Sequence, residues 1–436
     1  MRHTITLLIM VWGVLLFAEK DLLAENLREI LELAANNLQV RAAKVKTEAF
    51  TKAYEAAKGA NYPRLDLEYG ATYLQDKPVM YVDSQMGRTA WQIGPQNHYE
   101  GSLTLSYPFF SGFAITAGIH KAKLESVKAS LEEGDVKRNI TLSVVSIYSQ
   151  TVAVKEIISA KNEALHAAEE SLKKAQGFYD QGLIPISQVY NIKAKAYEID
   201  SDLIHTQYEK KMLLNQLSHL VDTTIYAVEG LPGYQPLELA LLVDEALRER
   251  EDIKAIQTAL EIREEEITIA KSRNYPEVSL FAQARRTGDS LKIDGDDFTN
   301  KNKSSVGVLF SYNLFDGLNT KRNIEAAKRN AKMVEYLHND YRNRIRTEIT
   351  NSHLTFRSFQ DELKAADKRL DAQEAFYELT MGRFENQLTS TDELSRAIAD
   401  LAAAKAKYFA LKAELYRYYS RLLLEVSLRK FESTLQ

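Results

Sequence analysis

The 436-residue chain contains no cysteine. Disulfides, thiolate metal centres and a lipidated N-terminal cysteine are therefore excluded. Proline and glycine are scarce, at eight and eighteen residues, which favours long uninterrupted elements over a loop-rich fold. Neither sign of charge dominates: 56 Lys and Arg stand against 60 Asp and Glu, a formal net charge of −4. With no basic stripe along the chain, that balance leaves no electrostatic case for a nucleic-acid partner. Long apolar runs are missing too. Beyond the N-terminus no stretch reaches the ~20 apolar residues of a membrane-spanning helix. If the chain spans a membrane, it must do so as β-strands closed into a barrel. At 45% apolar residues it is nonetheless too apolar for general disorder.

Reactive constellations are absent as well. The eight histidines are scattered, with no HExxH spacing. There is no glycine-rich phosphate loop, nucleophile elbow or carboxylate pair placed for acid–base work. The chain reads as no enzyme and as binding no cofactor or metal. The acidic stretch Asp294 to Asn300, DGDDFTN, does not match an EF-hand and reads as a solvated loop.

What is present begins with an N-terminal leader. Arg2 precedes an apolar run from Ile5 to Ala18. That run is short for a spanning helix and suits the core of a signal peptide, residues 1–18, cleaved after Ala18. An uncleaved anchor is the alternative.

A long internal repeat follows. Residues 106–123, SYPFFSGFAITAGIHKAK, and 311–328, SYNLFDGLNTKRNIEAAK, share seven of eighteen positions at an offset of 205. Upstream, Asn61-Tyr62-Pro63 matches Asn274-Tyr275-Pro276 at an offset of 213, so the second copy is eight residues shorter between its strands. A surface loop tolerates such an indel. The organisation expected is a first repeat over 19–220, a connector over 221–243, a second repeat over 244–428 and a tail over 429–436. Each repeat reads as helix, strand, loop, strand, long helix, turn, helix.

The strands alternate with period two. Leu65, Leu67, Tyr69, Ala71 and Tyr73 share one face, and Asp66, Glu68, Gly70 and Thr72 the other. Leu103, Leu105 and Tyr107 repeat the pattern, as do Val278, Leu280, Ala282 and Ala284, and Val306, Val308, Phe310 and Tyr312. One apolar and one polar face fits a sandwich, or a barrel with a wet interior and an apolar exterior. Tyr62, Tyr107, Phe110, Tyr275 and Phe315 gather at the strand ends nearest the helices, where a membrane barrel places an aromatic girdle. The helices carry heptads, such as Ile140, Val144, Ile147, Thr151, Val154 and Ile158, and a 3.5-residue period means coiled packing. The long helices are expected from Gly112 to about Tyr179 and from Gly317 to about Arg383, and the shorter ones at about 25–60 and 187–220. Ser111 and Asp316 stand where they can cap the long helices, with Gly112 and Gly317 giving the bend its freedom.

In this ordered set the chain resembles the TolC family of outer-membrane efflux and secretion channels. The Tyr62-Pro63 and Tyr275-Pro276 strand starts, the Phe110-Ser-Gly112 and Phe315-Asp-Gly317 junctions and the turn Tyr179-Asp-Gln-Gly-Leu-Ile-Pro carry the likeness. The resemblance implies an α+β membrane protein and a homotrimer. Four strands per subunit would close a twelve-stranded β-barrel in outer-membrane lipid. The helices would form a coiled-coil tunnel across the periplasm. It further implies a passive exit duct for efflux or type I secretion that works with a periplasmic adaptor and an inner-membrane pump. In the family, acidic residues on the last helix gate the periplasmic entrance. Gln387 takes the position of the tip glycine, and Glu393 and Arg396 take those of the two gate acids, with Asp392 beside them and Gln188 in the first repeat. Arg396 departs from the acidic pattern and is placed to pair with Glu393 at i,i+3. The same acids also suit a solvated helix start. The alternative function is a periplasmic coiled-coil adaptor of such a pump, against which the duplicated strand pairs argue.

Overall fold

Apart from a hairpin in the first half and a short final helix in the second, the two halves of the chain follow the same series of elements in the same order. The computed structural model describes residues 24–290 and 300–435. The expected signal peptide at 1–18 and residues 294–299 of the acidic stretch lie outside the described residues. In the first half, α1 (Leu27–Ala34) and α2 (Leu38–Lys58) lead to β1 (Arg64–Tyr73), a hairpin of β2 (Val79–Ser84) and β3 (Gly87–Gln92), and β4 (Asn97–Ser111). The long α3 (Ala114–Asp180) and α4 (Ile186–Val221) follow. In the second half come α5 (Leu239–Glu249), α6 (Glu251–Ser272), β5 (Glu277–Gly288) and β6 (Lys301–Ser311). They continue into α7 (Asn319–Glu385), α8 (Thr391–Val426) and a short α9 (Leu428–Thr434). Helices α3 and α7 each have 67 residues, and α4 and α8 each have 36. Both pairs begin 205 residues apart, the offset of the sequence repeat.

Two features depart from the sequence reading. The single helix expected at about 25–60 is broken: Asn37 accepts from the Gln39 amide and donates to the Leu220 carbonyl, both at 2.8 Å. A side chain that bonds to backbone offers an alternative to the helical ladder. Its counterpart at an offset of 213 is Arg250, where α5 gives way to α6. The second departure is the β2–β3 hairpin, which occupies the longer inter-strand connection of the first half where a plain loop was expected.

The main sheet has the order β1-β4-β5-β6 and is antiparallel throughout. Its register lines up Leu65, Leu105, Ala282 and Val306 across four strands on one face. On the other face, Asp66, Thr104, Gln283 and Ser305 form the neighbouring row. A register shift between Pro108 and Phe110 marks a bulge, as befits a residue with no N–H for the ladder.

By compactness the chain divides into two units, each drawn from both halves of the sequence. One comprises Met1–Lys46, Ser130–Ala255 and Asn339–Gln436, and holds two apolar cores. The larger core collects Ile30, Val144, Tyr148, Leu217, Ile253, Ile345 and Leu422. The smaller gathers Ala175, Ile192, Phe384, Leu394 and Ile398 around the two helix turns. Of the heptad positions, Ile140, Val144, Thr151 and Val154 are buried and Ile147 and Ile158 half-buried, as coiled packing requires. The other unit, Thr47–Ala129 and Ile256–His338, contains the main sheet, the hairpin and the helical segments next to them.

Candidate functional site

In the sheet-containing unit, the apolar side chains of the sheet lie open. Leu67 is 79% exposed and Val306 84%, and Leu65, Tyr69, Val308 and Phe310 are exposed with them. An apolar surface this continuous on one face of a sheet marks an interaction surface, not a random scatter. The opposite face is mainly polar, with Phe281 and Leu309 among its side chains, and internally bonded: Gln283 Nε2 donates to Thr104 Oγ1 at 3.1 Å, and Arg285 pairs with Glu100 at 2.7 Å. Strands β1 and β6 are the edges, each with one neighbour among the described residues.

The strand-to-helix junctions lie at one end of this sheet. Ser111 Oγ accepts from the Ile115 amide at 3.3 Å. Asp316 accepts from the Thr320 amide at 2.7 Å and from its hydroxyl. Those hydrogen bonds, the hydroxyl's foremost, hold the Asp316 carboxyl below its ordinary range. Gly112 and Gly317 are left-handed, at φ 62° and 69°. Of the candidate interface aromatics, Tyr62, Tyr275 and Phe315 are exposed and Tyr107 and Phe110 half-buried. Phe113 joins Phe110 and Tyr275 edge to face, at 5.4 and 5.6 Å.

In the other unit, the helix turns at 181–185 and 386–390 pack together. Phe178 meets Phe384 edge to face at 5.7 Å, and Lys174 pairs with Glu385 at 2.5 Å. Gly182 and Gln387, 205 residues apart, are both left-handed, at φ 75° and 58°. Ser390 caps α8 by accepting from the Glu393 amide at 3.3 Å. The pairing of Arg396 with Glu393 is corrected here: Arg396 bonds Asp392 at 2.9 Å, one helical turn back. Glu393 instead receives the Thr389 hydroxyl and approaches Arg383 of α7 at 3.8 Å. Helix geometry allows both i,i+3 and i,i+4 partners, and the neighbouring helix decides between them. Gln188 is half-buried in the first turn of α4.

A buried polar cluster in the same unit was not foreseen. Asp252, at the start of α6, accepts from Arg250 at 2.9 and 3.0 Å, from Arg138 of α3 at 3.3 Å and from the Tyr341 hydroxyl of α7 at 2.6 Å. Arg138 also bonds Asp135. Burial, with that hydroxyl bond second, pushes the Tyr341 phenol up to about 12. Nearby, buried Glu425 accepts from Arg421 at 2.7 Å and Ser352 at 2.9 Å. Desolvation outweighs these bonds and raises its carboxyl above the ordinary 4.5. The folded state then holds this proton more tightly than the unfolded chain, so its contribution to stability falls as pH rises from the ordinary value through the raised one. Glu425→Gln is expected to melt at or above the wild type at pH 7, with the difference vanishing near pH 4. Thermal melts at both pH values check it; a mutant less stable at neutral pH than in acid, relative to wild type, contradicts it.

Comparison with known proteins places this architecture. A model of the outer membrane efflux protein family matches residues 30–222 and 242–424. Curated protein sequences returned no match. Among solved structures, the outer membrane protein VceC of Vibrio cholerae superimposes with a TM-score of 0.76 at 17% identity, over 93% of this chain and 95% of that one. The CmeC outer membrane channel of Campylobacter jejuni gives 0.76 at 15%, over 93% and 85%. The open state of the Neisseria gonorrhoeae MtrE outer membrane channel gives 0.70 at 16%, over 93% and 88%. These findings lend no support to the adaptor alternative.

Proposed function

Because this chain belongs to the outer membrane efflux protein family, we propose that three copies of it form a passive exit duct across the outer membrane. The observation that carries the reading is the four-stranded sheet with one exposed apolar face and two open edges. In lipid, unpaired strand edges are prohibitively unfavourable, so the sheet needs further copies of itself. Its strands alternate in direction, so β6 of one copy meets β1 of the next antiparallel, and three copies close twelve strands. The apolar face turns to lipid and the polar face lines the pore. The helices extend into the periplasm, where an adaptor and an inner-membrane pump supply the energy.

The closed entrance lies at the helix turns, with Glu393 lining it. Three copies around an axis make a carboxylate ring that draws cations, and Arg383 offsets part of its field within each chain. Asp392 and Arg396, paired to each other, contribute little net charge. Two measurements test the reading. Fractionation with the outer membrane and heat-sensitive trimer migration support the duct, and a soluble periplasmic protein defeats it. In planar bilayers, Glu393→Ala is expected to raise conductance and weaken block by divalent cations several-fold; unchanged conductance and block remove Glu393 from the gate while leaving the duct.

A further inference from the structure

Helix α4 carries two heptad seams. One is buried within the chain: Val189, Ile192, Ala196, Leu203, Thr206 and Leu213. The other lies on a different side of the helix, and Tyr190, Ala194, Tyr197, Ile204, Tyr208 and Lys211 along it are all exposed. Helix α7 has the same arrangement. Ile345, Ile349, Ser352, Phe356, Ala366 and Phe384 are buried. Two positions on, roughly 200° around the helix, Asp361, Ala365, Lys368, Ala372, Ala375 and Leu379 stand exposed at heptad spacing. The rest of the exposed helix surface is not built this way: the corresponding seam of α3, with Ser159, Asn162, His166, Glu169 and Lys173, is polar. A helix with a single seam packs on one neighbour, and a helix with two is flanked on both sides. Within the chain, α4 meets α3 where Lys161 donates to Thr206 Oγ1 at 2.9 Å, and α7 meets α3 where Phe384 packs on Phe178. Thr206 and Phe384 both belong to the buried seams, so these contacts leave the outer ones open.

Resting on the reading of a three-copy duct, we propose that the outer seam of α4 packs against the outer seam of α7 in the next copy. A second copy of this chain fits the surface by height, size and charge. The two helix turns pack together, so the helix ends at Ile186 and Glu385 are about level, and a three-fold axis keeps them level between copies. Helix α4 leaves its turn and α7 enters its turn, so the two run antiparallel, and residues equally far from those ends face each other. Tyr197 and Ala375 stand 11 and 10 residues from the ends, Tyr208 and Ala365 22 and 20, and Lys211 and Asp361 25 and 24. Tyrosine rings thus meet alanines, as a knob meets a hole, and the lysine meets an acid. Lys211 is held beside this seam by the Tyr208 ring, at 4.7 Å from its centroid. Joining α4 to α7 uses two different surfaces, a head-to-tail contact that closes into a ring.

Because the chain has no cysteine, introduced pairs report the contact directly. Outer membranes holding the full-length protein are oxidised with copper phenanthroline and analysed without reductant. Tyr197→Cys with Ala375→Cys is expected to give covalent trimers, since a disulfide needs Cα atoms within about 7 Å. Tyr197→Cys with Ala365→Cys, out of register by roughly 14 Å along the helix, is expected to give none. Lys211→Asp is expected to lower the melting temperature of the trimer by a few degrees, and adding Asp361→Lys to restore it. Benzoylphenylalanine in place of Tyr197, irradiated in cells, is expected to capture α7 of another copy. No cross-link from the matched pair, or equal cross-linking by the mismatched pair, overturns the seam, and so does photocapture of a different envelope protein alone. A charge swap that fails to restore the loss overturns the register. Heat-sensitive trimers separate the levels: where they form without the cross-link, the seam falls and the duct stands; where wild type forms none, the duct reading falls and the seam with it.

Discussion

Asp252→Ala is expected to be the most damaging single substitution among the charged residues. Its carboxylate gathers Arg138 from α3, Tyr341 from α7 and Arg250 from the break between α5 and α6. The side chains of both arginines are only 7% exposed. Truncation strands those donors: Arg138 keeps Asp135, but among the described residues Arg250 retains only the Glu425 carbonyl at 3.5 Å. Breaking a buried pair by removing one partner costs about 3–5 kcal/mol, because the remaining charge stays desolvated. Asp252→Asn keeps the shape and one acceptor and is expected to lose roughly half as much, and Tyr341→Phe about 1–2 kcal/mol. Helicity followed during thermal denaturation checks the order Ala, then Asn, then Tyr341→Phe. An alanine variant that melts with the wild type would show that water enters and rescues the arginines.

The second large effect is expected at the junction between strand and helix, and only in the first repeat. Gly112 and Gly317 share a left-handed backbone, which costs an L-residue about 1–2 kcal/mol. Their surroundings differ. A Cβ at Gly112 would run into the Ser272 carbonyl oxygen and come within 2.9 Å of Tyr275 Cβ. That carbonyl is held in place by the Tyr275 amide at 2.9 Å, so it has little room to yield. A Cβ at Gly317 meets nothing within 4 Å. Gly112→Ala should therefore sharply lower the melting temperature, whereas Gly317→Ala loses about the backbone term alone. Equal effects at both positions would mean that the close approach of Ser272 to Gly112 relaxes freely.

Much of the fold was legible because its signals are local and repeated. The alternation in RLDLEYG and GSLTLSY follows from the two-residue period of a strand, and Pro63 and Pro276 stand immediately before β1 and β5. The expected long helices, Gly112 to Tyr179 and Gly317 to Arg383, fall within about two residues of α3 and α7, since a 3.5-residue apolar period persists until a left-handed residue stops it. The hairpin at 79–92 was missed because strong alternation is absent from VMYVDS and GRTAWQ, which are exposed throughout.

By itself the sequence determined the duplication, the element types, the two-faced strands and the absence of cysteine chemistry, because each depends on residues near one another along the chain. Tertiary structure alone decided which charges meet. Asp252 finds Arg138 across 114 positions and Tyr341 across 89, and Glu393 turns to Arg383 while Arg396 turns to Asp392. Likewise it made two identical glycines unequal, one pressed against a carbonyl and one open to space. Local propensity sets the backbone path, but electrostatic pairing and steric contact act through space, and only the folded chain defines those distances.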